Sequence, residues 1–208
     1  MPVVCVRSFD AHDYEDAALA LLNQYRDEPY LVLDIRGNGG GNTPEKLIKA
    51  LMNQPYPTWR EASSFRVGVD LATQQLQNSN SLRAGEVPRF TLSWNCTVQQ
   101  PEENAYNGKL FILHDIGTKS AAEDFLLPFK ATARAVLVGE TTSGSSGQPY
   151  IETPFPDAMF TVGAKRQEFP NGDRFEGIGI SPDIAIFASQ ANTGPGTDFV
   201  LKELLKLI

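Results

Sequence analysis

Tyr30-Leu31-Val32-Leu33-Asp34-Ile35-Arg36-Gly37-Asn38-Gly39-Gly40-Gly41 is the stretch that decides the fold. Its first six residues are an apolar run of buried-strand length, and its last five form a glycine-rich loop. Thr43-Pro44-Glu45 then predicts a helix through about Met52, with Thr43 placed to cap and Pro44 suited to the first helical position. Strand, glycine loop and helix in this order are one unit of an α/β domain.

The same unit recurs on both sides. Upstream, Val3 to Val6 is a β-branched strand; Asp10 to Asp13 offers capping residues before a helix over Tyr14 to Tyr25. Downstream, Lys109 to Leu113 predicts a strand, and Ser120 to Leu127 a helix with an acidic first turn. Ala135 to Val138 is a further buried strand, followed by a loop from Gly139 to Pro149. Met159 to Lys165 and Arg174 to Ile178 are expected to form a hairpin around Pro170-Asn171-Gly172, since Asn-Gly supplies positive-φ turn residues. Pro182 to Ile186 adds a strand, and leucines at helical spacing end the chain in a helix over Phe199 to Ile208. Between these units, Thr58 to Val69 has partial strand character, and about 70–107 reads as a less regular excursion. The expectation is one domain over 1–208.

Composition narrows the function. The chain has 208 residues, 41% hydrophobic and 21% charged, which is enough apolar surface for a folded core. Its net charge of -7 would repel a phosphate backbone, so nucleic acid is not an expected partner. The longest apolar stretch, Ala17 to Leu22, is far short of a membrane span. Met1 to Arg7 lacks the pattern of a secretory signal, so no export address is expected from it. Cys5 and Cys96 have no metal-ligand spacing and do not define a disulfide framework.

Two loops leave strand ends and enter helices, where α/β proteins put their sites. In Arg36 to Gly41, glycines let backbone N–H groups point outward at a helix start, where they can hold a phosphate or an oxyanion. No Gly-Lys-Ser/Thr follows, and Asn42 stands where a dinucleotide fingerprint needs its last glycine, so neither nucleotide motif is present. In Gly117-Thr118-Lys119-Ser120-Ala121-Ala122-Glu123, Ser120 lies at a strand-to-helix junction. It serves there as a helix cap or as a nucleophile beside the Ala121 N–H. Asp34 and Arg36 read as an ion pair bracing the glycine loop, and Glu123 as a complement to the helix dipole.

Taken in order, these segments resemble the carboxy-terminal processing (tail-specific) serine peptidases. Leu33-Asp34-Ile35-Arg36-Gly37-Asn38-Gly39-Gly40-Gly41 resembles their glycine motif, and Ser120-Ala121-Ala122-Glu123 their nucleophile motif. Gly139-Glu140-Thr141-Thr142-Ser143-Gly144 resembles the loop that follows, and Glu176-Gly177-Ile178-Gly179-Ile180-Ser181-Pro182-Asp183 the closing signature. The resemblance implies a crotonase-like α/β core, Ser120 as nucleophile, and an oxyanion hole from Ala121 with Gly40 or Gly41. It implies a peptide or protein substrate and no metal or organic cofactor. It also favours an exported or periplasmic setting, and family members commonly carry a PDZ-type domain, which is not expected within this chain.

The match departs from the pattern at the base. Well-known members place a lysine 25 positions after the serine, where this chain has Ser145, a candidate substrate or loop contact. A second branch, similar to the tricorn core and to interphotoreceptor retinoid-binding protein, uses a histidine from the first strand with a glutamate that Glu176 matches; here Cys5 stands near the histidine's place. His114, at a strand end leading to Ser120, is a candidate base, and Lys165 a candidate base or carboxylate anchor. His12 reads as solvated, and Lys119 diverges from its neighbour Ser120. Serine peptidase is the leading expectation. A non-catalytic peptide- or hydrophobic-ligand-binding relative and a crotonase-like acyl-thioester enzyme are the alternatives.

Overall fold

A computed structural model describes residues 1–70, 75–78, 89–94, 96–146, 149–155, 157–163, 165–187 and 198–208. Its centre is a five-stranded parallel sheet. Strands β1 (Val3–Cys5), β2 (Tyr30–Asp34), β8 (Lys109–His114), β9 (Ala135–Gly139) and β13 (Ile184–Ala185) lie side by side in that order. Each successive strand therefore adds at one edge, with a crossover between neighbours. Helix α1 (His12–Gln24) joins β1 to β2, α2 (Glu45–Leu51) follows β2, and α3 (Ala121–Thr132) joins β8 to β9.

The side-chain alternation of these strands builds three layers. Leu31, Leu33, Ile35, Leu110, Ile112 and Leu137 belong to a large core with Ala18 and Leu22 of α1, Leu47 and Leu51 of α2, and Phe125 and Phe129 of α3. Val32, Phe111, Leu113 and Val138 point the other way and meet Val200 and Leu204 of α4 (Phe199–Leu205). Burial on both faces explains why the strands are continuous apolar runs rather than alternating ones.

The predicted excursion contains strands in its described parts. β3 (Tyr56–Pro57) pairs with β7 (Val98–Gln99), while β4 (Arg60–Asp70) pairs with β5 (Gln75–Asn78), β6 (Arg89–Trp94) and β12 (Lys165–Glu168). The rest of that stretch, 71–74, 79–88 and 95, lies outside the described residues.

The hairpin expectation is corrected. β11 (Ala158–Gly163) pairs with β10 (Pro149–Phe155), and the turn at Asn171-Gly172 leads only to a single bridge between Glu168 and Arg174. Residues 175–178 are a turn, because Gly177 and Gly179 adopt φ of +74° and +82° and pack against the loop after β9. The caps also differ. Pro44, not Thr43, is the N-cap of α2, and Thr43 instead donates its hydroxyl to Asp124 Oδ2 at 2.9 Å. The buried Glu15 of α1 serves the α2 terminus, accepting the Leu47 N–H at 3.0 Å. At α1 the N-cap is Ala11, with no side-chain bond.

Candidate active site

Because β2 and β8 are parallel neighbours in register, with Asp34 opposite Leu113, the loops that leave them emerge side by side at the carboxyl end of the sheet. A set of hydrogen bonds stitches the loops together. Asp115 Oδ1 accepts the N–H groups of Gly37 at 2.8 Å and Gly117 at 3.0 Å, and Thr118 donates its hydroxyl to the Ile35 carbonyl at 3.1 Å. Lys119 N–H donates to the Asn38 carbonyl at 3.0 Å. The buried Asn38 side chain donates to the Val6 carbonyl at 3.0 Å and accepts from Gly40 N–H at 2.9 Å.

The base of the glycine loop is held by charge. Buried Asp34 accepts from Arg7 at 3.0 and 2.8 Å and from Arg36 at 2.9 and 2.7 Å, a pair of bidentate forks. Burial alone would raise the Asp34 carboxyl, but the hydrogen bonds from Arg36 and Arg7 outweigh it and hold the group below the ordinary carboxylate range. Arg36 also forks onto Asp198, the N-cap of α4. The expected Asp34–Arg36 brace is therefore present and extends to Arg7 and Asp198.

The two loops converge on Ser120. Gly40 has φ +90°, and a methyl group on it would stand 2.7 Å from Ser120 Cβ and 2.8 Å from the Ala121 nitrogen. Only glycine permits this approach. Gly41 forms a parallel bridge to Phe9, in which Phe9 N–H donates to the Gly40 carbonyl and Asn42 N–H to the Phe9 carbonyl. That pairing turns the Gly41 N–H away from Phe9. Among the described residues neither Gly41 N–H nor Ala121 N–H has a protein acceptor, whereas Gly40 N–H is taken by Asn38.

Ser120 itself is strained, with φ 57° and ψ -128°. For a residue with a side chain such a conformation costs about 1–3 kcal/mol and persists only where its surroundings fix it, most often at functional sites. The fixing is visible here. Ser120 N–H donates to the Ser145 carbonyl at 2.8 Å and to Glu123 Oε2 at 3.1 Å. Fully buried Glu123 also accepts from Thr142 Oγ1 at 2.5 Å, Gly144 N–H at 2.7 Å and Ser145 N–H at 3.0 Å. Burial raises its carboxyl above the usual range while those donors pull the other way. Glu123 thus clasps the loop after β9 to the start of α3. Sequence reasoning gave it only a dipole role; its spacing of three from Ser120 was the available signal.

The remaining sequence candidates make other contacts. Ser145 meets Ser120 and Glu123 through its backbone. His114 is fully buried, with both ring nitrogens lacking a hydrogen-bond partner among the described residues, and burial pushes its imidazole down to about 4. The structure does not bring it to the Ser120 hydroxyl. Glu176 Oε1 accepts the Gln167 N–H at 2.6 Å, and Lys165 is paired with Glu61 at 2.7 Å. Exposed His12 begins α1, early in the chain's first crossover. Asp124, which sequence reasoning did not single out, accepts from Trp59 Nε1 at 2.7 Å and from Ser146 Oγ at 3.2 Å; its partners are distant in sequence, and no local pattern announced it. Cys5 and Cys96 are free thiols. Among the described residues no cluster of three metal-ligating side chains occurs, and no helix is long and apolar enough to cross a membrane.

Comparisons with known proteins agree with this fold. Among solved structures, a candidate peptidase from Parabacteroides merdae superposes with a TM-score of 0.67 at 18% identity, covering 99% of this chain and 60% of that one. The photosystem II D1 C-terminal processing protease gives 0.58 at 20% identity, over 95% of this chain and 44% of that one. The tricorn protease gives 0.56 at 18% identity, over 99% of this chain and 17% of that one. The chain therefore spans 60% or less of the length of these structures, and the likeness is one of fold. The family model described as "Peptidase family S41" matches residues 3–186, and the chain belongs to that family.

Proposed function

We propose that this chain carries the nucleophile and oxyanion hole of a serine peptidase acting on peptide or protein substrates. Ser120 Oγ attacks the carbonyl carbon of a peptide bond, and its proton passes through a base to the departing amine. Water then releases the acyl group from Ser120. Negative charge on the carbonyl oxygen is received by the Ala121 N–H, at the positive end of α3, and by the Gly41 N–H. Of the two glycines weighed from sequence, Gly41 is favoured because its N–H has no protein acceptor among the described residues while Gly40 N–H is taken by Asn38.

One observation carries the reading: the strained Ser120 sits against Gly40, with Ala121 N–H at the contact. Each oxyanion donor of this kind contributes roughly 2.7–4 kcal/mol to transition-state stabilisation. Among the described residues no histidine, lysine or carboxylate hydrogen-bonds the Ser120 hydroxyl, and Ser145 occupies the lysine position of the best-known relatives. That pattern fits the branch without the lysine, with Glu176 as the matching glutamate.

A fluorophosphonate probe tests the proposal. Mass mapping is expected to find the adduct on Ser120 in the parent chain and none in Ser120→Ala. An unmodified Ser120 favours the peptide-binding reading. Tight binding of a coenzyme A ester that survives Ser120→Ala favours the acyl-thioester one.

A further inference from the structure

Along α3, Ser120, Asp124, Leu127 and Pro128 follow at helical spacing and share one face. One turn beyond Ser120 on that face, a cavity of about 430 Å³ opens, with Asp124, Leu127 and Pro128 in its wall. Thr43, two residues after Gly41, lines the same cavity and hydrogen-bonds Asp124. The cavity therefore begins beside both halves of the oxyanion hole proposed above. One helical turn is about 5.4 Å, so the cavity lies about that far along α3 from Ser120.

Ile48, Tyr56, Pro57 and Trp59 form an apolar part of the wall, and Glu45 and Lys49 stand among its polar residues. Trp59 is a fixed surface. Phe175 and Phe169 pack behind it with ring centroids at 4.4 and 5.5 Å, and its indole N–H is held by Asp124. The inner charges are already spent. Asp124 accepts from Trp59, Thr43, Ser146 and Gln167, while Lys165 is paired with Glu61, which also accepts from Gln167 at 2.7 Å. Of the lining charges only Glu45 and half-buried Lys49 are unpaired among the described residues, so a charged side chain entering would give up water for a single partner. An alanine would leave most of the space unfilled.

We propose that this cavity receives the side chain of the residue that supplies the scissile carbonyl, and that it selects an aromatic one. Two ring faces and two proline faces suit offset or edge-to-face contact with a third ring. The assignment rests on Ser120 as the nucleophile, but its chemistry is testable apart from turnover.

The binding test uses the full chain carrying Ser120→Ala and follows indole fluorescence, Trp59 being in the wall. Short acetylated peptides ending in Phe, Leu, Ala, Lys or Glu are the probes. The Phe peptide is expected to bind about tenfold or more tighter than the Ala, Lys and Glu peptides. Thr58→Trp, which fills the half-buried mouth, is expected to abolish that preference, and Thr58→Val to retain it. Equal affinity for Phe and Ala, tighter binding of Lys or Glu, or an unchanged preference in Thr58→Trp would overturn the pocket. Failure of fluorophosphonate labelling in the parent chain, with the Phe preference intact, would instead remove the peptidase reading and leave an aromatic-binding site.

Discussion

Gly40 packs against Ser120 with room for hydrogen alone: a Cβ on the glycine would stand 2.7 Å from the Ser120 Cβ. The contact joins a loop that follows β2 to one that follows β8, and it sets the spacing between the Ala121 and Gly41 amides. Gly40→Ala must push these loops apart and also hold an L side chain at φ +90°. The variant is expected to lose about 1–3 kcal/mol of stability. Its kcat/KM is expected to fall about a hundredfold, since displacing catalytic groups by about 1 Å costs that much. Denaturation and peptide turnover, measured side by side, check both.

Ser120 carries strain that its function retains. Replacing it by glycine relieves a positive φ, whereas replacing it by alanine does not. Ser120→Gly is therefore expected to be more stable than Ser120→Ala by about 1 kcal/mol, a difference of roughly 2–4 °C in Tm for a chain of this size. Both variants are expected to be inactive. Thermal unfolding of the pair is the measurement, and equal melting points would contradict the strain.

Glu123 holds four donors from two segments of the active-site end, the start of α3 and the loop after β9. Glu123→Gln turns an amide NH₂ toward N–H groups that need an acceptor. A loss of roughly 3 kcal/mol or more in stability is expected, because hydrogen bonds to charged groups are the strong ones. The rate of fluorophosphonate labelling should fall about tenfold or more as Ser120 loses its brace. Urea titration and labelling kinetics report the two effects.

His114 makes stability depend on acid. Its folded value of about 4 lies below the ordinary 6.5, so the unfolded chain binds the extra proton first. The stabilisation is complete above about pH 6.5 and is lost as pH falls toward 4, by about 3 kcal/mol in all. Because neither ring nitrogen has a partner among the described residues, His114→Leu sacrifices no hydrogen bond there. Denaturation midpoints from pH 7 to pH 4 should fall more steeply for the parent chain than for this variant.

Much of this architecture was legible because buried parallel strands announce themselves. Leu31 to Ile35 and Leu110 to Leu113 are apolar without interruption, and each is followed by a loop and a helix. The convergence of Gly40 on Ser120 was inferable from topology, since loops that leave adjacent parallel strands emerge together. Residues whose partners are remote were not legible. Thr43 was read as a cap, but its hydroxyl goes to Asp124, 81 positions away. Glu123 looked like a dipole complement until the loop from Thr142 to Ser145 closed over it. Arg174 to Ile178 had strand-like alternation, yet Gly177 and Gly179 turn the chain there to meet Thr142 and Gly144.

The most direct test of the account is a crystal structure of the fluorophosphonate adduct. The phosphonyl oxygen is expected about 2.7–3.1 Å from both the Ala121 and the Gly41 nitrogens, with phosphorus bonded to Ser120 Oγ. An adduct whose oxygen faces solvent, or lies away from the glycine loop, would contradict it.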